Sequence, residues 1–224
     1  MLSFIGIGNA FSYQLGNCSA FYKENDSMLL IDCGESVFES ILSNKLLDEI
    51  QNLYILITHF HSDHVGSLGS MMFYCDKIGI KNVNIMYPDL DKLNQLIEIF
   101  GVNKCNYKLI RPSDLGIVEI SQSHSFMQCY GYVFQINGKT IYYSGDTKIV
   151  PDFIVNMLVD SEIDCFYQDV RIKENDYHIS LAELVRLIPE NHRGKVKCMH
   201  YSCEEVDEIT EKGFSIVKKF SSYN

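Results

Sequence analysis

The sequence has no Cys-x-x-Cys pair, no extended run of Lys and Arg, and no apolar stretch approaching the length of a membrane span. The first residues lead directly into a predicted strand, without the basic segment and long apolar segment of a secretory signal. The formal net charge is −10, which does not favour a generic nucleic-acid surface because binding of the phosphate backbone needs clustered basic residues. We therefore expect a cytoplasmic protein without a membrane segment.

Eight cysteines are scattered through the chain and lie mostly in apolar segments, as buried free thiols do. This pattern favours neither a disulfide framework nor a zinc finger. With 46% hydrophobic and 21% charged residues, the 224-residue chain has the composition of an ordinary globular protein. We predict a single domain over residues 1–224, in which a core of ordinary size buries about 70% of the unfolded surface.

The most informative stretch is residues 58–66, Thr-His-Phe-His-Ser-Asp-His-Val-Gly, which places three imidazoles and a carboxylate within six positions. At this composition the pattern H-x-H-x-D-H arises by chance in roughly one chain of this length in two thousand. It follows an apolar run at 53–57, predicted as a buried strand, and precedes a predicted helix at 65–74. The alternative is a solvated histidine-rich turn. We expect His59 and His61 to hold one metal ion, and Asp63 and His64 to hold a second beside it.

Three more metal-ligand types follow predicted strands. His124 lies in the loop after the strand at 116–120, Asp146 follows the strand at 140–144, and His200 follows the strand at 195–199. Taken singly, a loop histidine is more often a surface residue, and an aspartate on a small-residue turn can equally cap a helix. Their common position at strand ends favours one shared site, because such loops converge at one edge of a sheet.

The other segments alternate between the two kinds of secondary structure. Hairpins are predicted from 18–22 with 28–32 and, through Asn137-Gly138, from 130–136 with 140–144. Predicted helices cover 35–43, 90–100, 152–159 and 181–188, and the last begins with a capping box of Ser180 and Glu183. Further strands are expected at 82–87 and 163–167.

Two polar features near predicted strand ends have competing interpretations. The sequence Gly-Ile-Gly-Asn-Ala at 6–10 is typical of a tight turn more than of a phosphate-binding loop, because the third glycine and the following helix are missing. Asp32 ends a strand before a helix, where a carboxylate more often caps the helix or supports a ligand than binds metal itself.

The candidate ligands divide into two sets. His59, His61 and His124 form a set of three nitrogens, Asp63, His64 and His200 form the other set, and Asp146 is able to bridge them. In dinuclear hydrolases two ions about 3.5–4 Å apart activate a water molecule and polarise the bond under attack. Imidazole and carboxylate ligands without thiolate suit two Zn²⁺ ions, with Mn²⁺ or Fe²⁺ as substitutes.

The order H-x-H-x-D-H, then His, Asp and His, resembles the metallo-β-lactamase superfamily over essentially the whole chain. That resemblance implies an α/β fold, the αββα sandwich of two mixed β-sheets flanked by helices. The segments at 6–10, 17–19, 32–35 and 58–66 are similar to the ribonuclease Z branch. This branch includes tRNA 3′-end nucleases and cyclic-nucleotide phosphodiesterases, some of them phage enzymes that destroy immune signals.

The resemblance also implies roles for individual residues. Asp169 and His178 match an acidic residue and a histidine that assist proton transfer to the leaving oxygen, and Asp63 counts as both ligand and catalytic residue. Members of the branch are commonly homodimers, which we carry over as an expectation.

Three departures from the tRNA nucleases guide the expected substrate. Gln168 stands where they usually have a histidine, and Gly16 stands where they usually have an arginine. Only residues 147–162 separate Asp146 from the next predicted strand, which leaves no room for a long tRNA-binding arm. With the acidic charge, these departures favour a small cyclic nucleotide as the substrate of a phosphodiesterase.

Three other functions remain open. The first is a ribonuclease Z-type tRNA 3′-processing endonuclease, which uses the same chemistry on a larger substrate. The second is a carbonyl hydrolase of the lactamase or thioesterase kind, which the same ions are able to support. A metal-free binding module is the least favoured, because no expected ligand is missing from the sequence.

Overall fold

Two six-stranded mixed sheets pack face to face in the computed structural model, which describes residues 1–221. The first sheet has strand order β1-β2-β3-β4-β5-β6. Its strands are β1 (Ser3–Gly6), β2 (Ser19–Glu24), β3 (Ser27–Ile31), β4 (Asn52–Leu56), β5 (Asn82–Met86) and β6 (Lys108–Ile110). The second sheet has the order β12-β11-β10-β9-β8-β7. Its strands are β7 (Val118–His124), β8 (Met127–Ile136), β9 (Lys139–Tyr143), β10 (Cys165–Asp169), β11 (Val196–Met199) and β12 (Ser215–Ile216).

The helices cover the outer faces of the sheets, which completes the αββα sandwich that the resemblance implied. They are α1 (Val37–Ser43), α2 (Ser62–Val65), α3 (Leu68–Ile78), α4 (Leu90–Phe100), α5 (Asp152–Val159), α6 (Leu181–Leu187) and α7 (Val206–Glu211). The predicted bounds of α4 and α5 match the structure. Helix α4 begins where the Asp89 side chain accepts a hydrogen bond from the Lys92 amide, and it ends at Gly101 in the left-handed conformation.

The hydrophobic core follows from the alternation of side chains along the strands. In β4, Leu53 and Ile55 face a core shared with α1, α3 and α4, whereas Leu56 packs in a second core that contains residues of both sheets. Apolar residues on both sides of one strand explain its continuous apolar sequence, since a parallel strand in the middle of a sheet has no solvent face.

Several predicted boundaries were wrong. The helix expected at 65–74 is two helices, α2 and α3. His124 is the last residue of β7 and not a loop residue, and Asp169 ends β10 and does not follow it. Strands β6 and β12 and helix α7 were not predicted from the sequence. The first two are edge strands of two or three residues, too short for alternation to be visible.

The cysteines are free, as predicted, with six buried and only Cys105 and Cys203 exposed. Within residues 1–221, none of the helices combines the length and the apolar character that crossing a membrane would demand.

One close backbone contact joins the loop after β3 to the metal-ligand motif. A Cβ atom at Gly34 would overlap the backbone carbonyl of Asp63. We therefore predict that Gly34→Ala lowers the free energy of unfolding by about 1–3 kcal/mol, the usual cost of forcing atoms into a packed site. Gly194→Ala is the matched control because a Cβ there meets nothing within 4 Å. Denaturant titration of both variants measures the difference, and equal stabilities would contradict the prediction.

Candidate metal centre

The chain direction of the strands brings the candidate ligands to one edge of the sandwich. Strands β3 and β4 are parallel, as are β9, β10 and β11. Strand β7 is antiparallel to β8, which is antiparallel to β9, so β7 runs in the same direction as β9. Candidate residues that end or follow strands therefore meet at one edge, as predicted from the sequence. The strands are β3, β4, β7, β9, β10 and β11.

The first set of candidate ligands is a cluster of three imidazoles. Nε2 of His59 lies 3.0 Å from Nδ1 of His61, and the His124 ring lies 5.1 Å from each of the other two rings. One nitrogen from each residue falls within 4.8 Å of the others. Such spacing allows three nitrogens to contact one ion.

The second set lies beside the first and contains a carboxylate, that of Asp63, together with two imidazoles. Nε2 of His64 and Nε2 of His200 lie 3.3 and 3.4 Å from Oδ2 of Asp63. Both nitrogens also lie 3.4 Å from Oδ2 of Asp146. The same Asp146 oxygen is 3.8 Å from Nε2 of His124 and 4.0 Å from Nε2 of His59, in the first set. The Asp146 carboxylate thus lies between the two sets, where a bridging ligand has to be.

Asp32 holds Thr58 and His64 at this edge through hydrogen bonds to its carboxylate. Its carboxylate accepts hydrogen bonds of 2.8 Å from the Thr58 amide, from the Thr58 hydroxyl and from Nδ1 of His64. The Thr58 hydroxyl therefore has its oxygen free to accept from Nδ1 of His59, 3.1 Å away. The sequence left open whether Asp32 caps a helix, supports a ligand or binds metal. These contacts match support of the neighbouring candidate ligand His64.

The histidine hydrogen bonds indicate which ring nitrogens are free. Nδ1 of His124 donates to the Tyr177 carbonyl at 3.1 Å, and Nδ1 of His59 and His64 are held as described above. Their Nε2 atoms consequently face the Asp146 carboxylate. Nε2 of His64 and Nδ1 of His200 are buried and make no hydrogen bond within the described part of the chain. Nε2 of His64 in particular is held in the orientation of a metal ligand, facing the carboxylates of Asp63 and Asp146, because its other nitrogen is fixed by the Asp32 carboxylate.

Burial and charge determine the protonation of the cluster. Burial lowers the pKa of His124 to about 4 and that of His59 well below its usual range, so both rings are neutral and offer a lone pair. Burial also lowers the pKa of His64, but the carboxylates of Asp146 and Asp32 outweigh burial and raise it well above 6.5. For Asp146, burial raises the pKa, and the nearby His200 and His64 outweigh it to keep the group ionised.

These donors fit two transition-metal ions. Neutral imidazoles and ionised carboxylates are the ligand forms that metals bind, and a bound cation would take the place of the proton on His64. The nearby thiol of Cys129 lies 3.7 Å from Nδ1 of His59, but burial raises its pKa well above 9, so it is not a thiolate. The donor set is therefore one of nitrogen and oxygen.

The predicted proton-transfer pair lies against the cluster. Nδ1 of His178 donates to Oδ2 of Asp169 at 2.8 Å, and the His178 ring stacks on His200 with centroids 5.2 Å apart. Burial lowers the pKa of His178, and the Asp169 carboxylate outweighs burial to raise it. Asp146, Asp169, His178 and His200 also form a group of donor atoms within 4.8 Å, so a ligand role for His178 competes with proton transfer.

Two more residues surround this pair, Gln168 and Asn175, of which sequence reasoning did not identify Asn175. Nε2 of Gln168 donates to Oδ1 of Asp169 at 2.8 Å. Oδ1 of Asn175 accepts from the amides of Tyr177 and His178, each at 2.8 Å, in a turn that fixes the backbone of the histidine. The order Asn-Asp-Tyr-His at 175–178 is a turn signal that could have indicated this. The His192 side chain hydrogen bonds to the neighbouring Asn191 and lies in none of the donor groups found among residues 1–221.

Comparison with known proteins agrees with this geometry. A sequence model of the family described as Anti-Pycsar protein Apyc1 matches residues 1–98 and 79–223. The chain is 26% identical to the Anti-Pycsar protein Apyc1 of Bacillus phage 010DV004, over 95% of this chain and 93% of that protein.

The fold also matches solved structures. The metallo-β-lactamase fold protein YhfI from Bacillus subtilis superposes with a TM-score of 0.75 at 17% identity, over 100% of this chain and 97% of YhfI. The short form of human tRNase Z superposes with a TM-score of 0.70 at 16% identity, over 100% of this chain and 98% of that chain. At these identities the likeness concerns the fold alone.

We predict that the protein binds two transition-metal ions per chain and that His61→Ala binds fewer, because the first set then keeps only two nitrogens. His192→Ala should keep both ions, since His192 lies outside the cluster. Elemental analysis of protein purified without chelator measures the stoichiometry. One ion or none in the unmodified protein, with no gain on adding zinc or manganese, would contradict the prediction.

Proposed function

Because the chain belongs to the Anti-Pycsar protein Apyc1 family, we propose that its substrate is a small cyclic nucleotide, which it opens as a metal-dependent phosphodiesterase. Family membership agrees with the branch that the sequence resembles, in which phage enzymes open cyclic nucleotides that act as immune signals. The observation that carries the proposal is the position of the Asp146 carboxylate between two sets of buried donors.

In this proposal His59, His61 and His124 would hold one ion, Asp63, His64 and His200 would hold the other, and Asp146 would contribute to both. Metal bound there would provide positive charge for the phosphoryl oxygens and lower the pKa of the attacking water. We assign Zn²⁺ to both positions, with Mn²⁺ or Fe²⁺ as substitutes, because the donors are imidazole and carboxylate without thiolate. The Asp32 carboxylate keeps the His64 ring oriented.

His178 and Asp169 supply the proton in this mechanism. When the phosphodiester bond breaks, the ribose oxygen leaves with negative charge and takes a proton from His178. Nδ1 of His178 is fixed on the buried Asp169 carboxylate, which leaves Nε2 as the atom that delivers the proton. The carboxylate stabilises the protonated ring beforehand and holds it in one orientation.

A small substrate is favoured over tRNA by the segment between Asp146 and β10. This segment contains helix α5 and short connections, with no protruding arm that would hold a large RNA. The net charge of −10 also opposes a long polyanion outside the site. The tRNA 3′-endonuclease is the competing function, because its chemistry would be the same.

The wider assignments have the same basis. We propose one domain over residues 1–224 and, by analogy with the branch, a homodimer and a cytoplasmic location. Size-exclusion chromatography with light scattering tests the dimer.

We predict that purified protein opens a cyclic nucleotide faster than it cuts a tRNA precursor. The measurement is a parallel assay of cyclic mononucleotides, cyclic dinucleotides, a tRNA precursor and bis-p-nitrophenyl phosphate at equal enzyme concentration. Removal of metal by a chelator should abolish every activity, which controls for contaminating metal-free enzymes. Efficient, site-specific cleavage of the precursor with inert cyclic nucleotides would reverse the ranking of the two functions.

We further predict that His178→Ala keeps both ions and loses roughly 10²–10⁴-fold in turnover of a cyclic nucleotide, the usual range for one acid–base group. Asp169→Asn should lose less, because it removes only the charge that orients and stabilises the ring. A diester with a nitrophenolate leaving group needs little protonation, so its hydrolysis should fall much less.

Two results would contradict the role of His178. If His178→Ala slows the natural and the activated substrate equally, the residue does not deliver a proton to the leaving group. If the variant loses an ion in elemental analysis, His178 acts as a metal ligand instead.

A further inference from the structure

A small cavity opens beside the proton-transfer pair. Its volume is about 290 Å³, and His178 and His200 form part of its wall together with Phe11 and Tyr177. Small-molecule pockets usually span about 300–1,000 Å³, so this cavity is at the lower limit and has room for one ring system. The metal site proposed above does not assign a role to this cavity.

Two aromatic side chains in this wall are uncovered. Phe11 is 93% exposed and Tyr177 is 43% exposed. A phenylalanine ring with almost no protein contact gains nothing for folding from its apolar surface. A single exposed apolar residue is unremarkable, but two aromatic rings that line one cavity next to a reactive centre form a surface on which a planar ligand can stack.

The backbone of both residues is nevertheless fixed. The buried Asn9 accepts a hydrogen bond from the Phe11 amide at 3.0 Å through Oδ1, and its Nδ2 donates to the Ser202 hydroxyl at 2.7 Å. The turn that carries Phe11 is thereby tied to the residues just after His200. The Tyr177 amide donates to Oδ1 of Asn175 at 2.8 Å, in the turn that also holds His178. The backbone segments that carry the two rings therefore have defined positions relative to His178.

The proposed chemistry indicates what this cavity would receive. In a cyclic nucleotide the oxygen that leaves phosphorus belongs to the same ribose that carries the base. If His178 protonates that oxygen, the ribose has to lie against His178, and the base has to lie beyond it in the adjoining space. Lys173 also lines the cavity and adds positive charge there, whereas Arg171 lines it with its guanidinium paired to Glu205, Nε lying 3.4 Å from Oε1.

A second cavity, of about 540 Å³, adjoins the metal-ligand motif and contains Phe60, Tyr87 and Phe126. It is larger, but neither His178 nor Asp169 lines it. The Phe60 and Tyr87 rings already contact each other, with centroids 4.4 Å apart. It therefore lacks the connection to the leaving oxygen that the smaller cavity has.

We propose that the cavity of Phe11 and Tyr177 is the nucleobase subsite, in which the base of a cyclic nucleotide stacks against these two rings. The inference rests on the proposed function, because it names where that substrate would bind. It adds two specificity-determining residues, of which Tyr177 also contacts the candidate ligand His124, through its ring and through a carbonyl that accepts a hydrogen bond from Nδ1 of His124 at 3.1 Å.

The absence of tryptophan from the chain provides a direct binding test. Phe11→Trp introduces the only indole, and Phe126→Trp places the only indole in the wall of the larger cavity, at a position 98% exposed in the native protein. Each variant is titrated with cyclic AMP phosphorothioate, which is hydrolysed slowly, and with base-free ribose 5-phosphate. We expect saturable quenching by the nucleotide analogue in Phe11→Trp only, and at least tenfold weaker quenching by the base-free phosphate.

A kinetic test uses the ratio of kcat/KM for cyclic AMP to kcat/KM for bis-p-nitrophenyl phosphate, which has no base. Phe11→Ala and Tyr177→Ala should each lower this ratio by roughly five- to a hundredfold, the range that loss of base–aromatic stacking produces. Phe11→Tyr should restore it because the ring is kept, and Phe126→Ala should leave it unchanged. Thermal melting of each variant checks that the fold is retained.

The possible results distinguish a wrong subsite from a wrong proposed function. If the unmodified protein opens cyclic AMP and neither Phe11→Ala nor Tyr177→Ala changes the ratio more than Phe126→Ala does, the subsite is wrong and the function stands. Quenching in Phe126→Trp and not in Phe11→Trp would place the base in the larger cavity and overturn the subsite. A protein that hydrolyses only the base-free diester or a tRNA precursor contradicts the proposed function and the subsite together.

Discussion

The Asp146 carboxylate is the group on which the arrangement of this site depends. It is buried, with only 3% of its surface exposed, and a buried charge costs about several kcal/mol unless opposite charges and hydrogen-bond donors surround it. Four histidine nitrogens within 4.0 Å meet that need here. Three of those histidines end or follow a strand, each a different one, and His64 lies in helix α2. The strand ends of both sheets therefore have to be in place at this edge before the buried Asp146 carboxylate has its histidine partners.

The backbone at the same edge is conformationally unusual. Asp32 and His200 have φ of 63° and 60°, which residues with a side chain seldom adopt, and Gly145, next to Asp146, has φ of 60°. Such conformations cost about 1–3 kcal/mol each and persist only where the surroundings impose them. At Asp32 the surroundings are three hydrogen bonds to its carboxylate. The strands supply the rigidity, and the strained residues turn the chain sharply enough to point both side chains into the cluster.

The parts of the fold that were predicted correctly depend on local sequence patterns. The H-x-H-x-D-H motif, the matched bounds of α4 and α5, and the capping box of Ser180 and Glu183 all depend on neighbours within a few residues. The link from Thr58 to Asp32 spans 26 positions, and no periodicity reveals it. The same applies to β6 and β12, which exist because longer strands beside them offer hydrogen-bond partners. Long-range contacts of this kind leave no pattern in a single sequence.

Gln168 illustrates how one departure from the tRNA nucleases changes the charge balance of the site. Its amide donates to Oδ1 of Asp169, so the carboxylate stays oriented as a histidine donor at that position would orient it. An amide, however, has no charge at any accessible pH, whereas a protonated imidazole would compete for the negative charge of Asp169. Oδ2 of Asp169 faces His178 alone among the hydrogen-bonding partners described. The charge of the buried carboxylate therefore acts chiefly on the ring of His178, which favours the protonated form that a general acid requires.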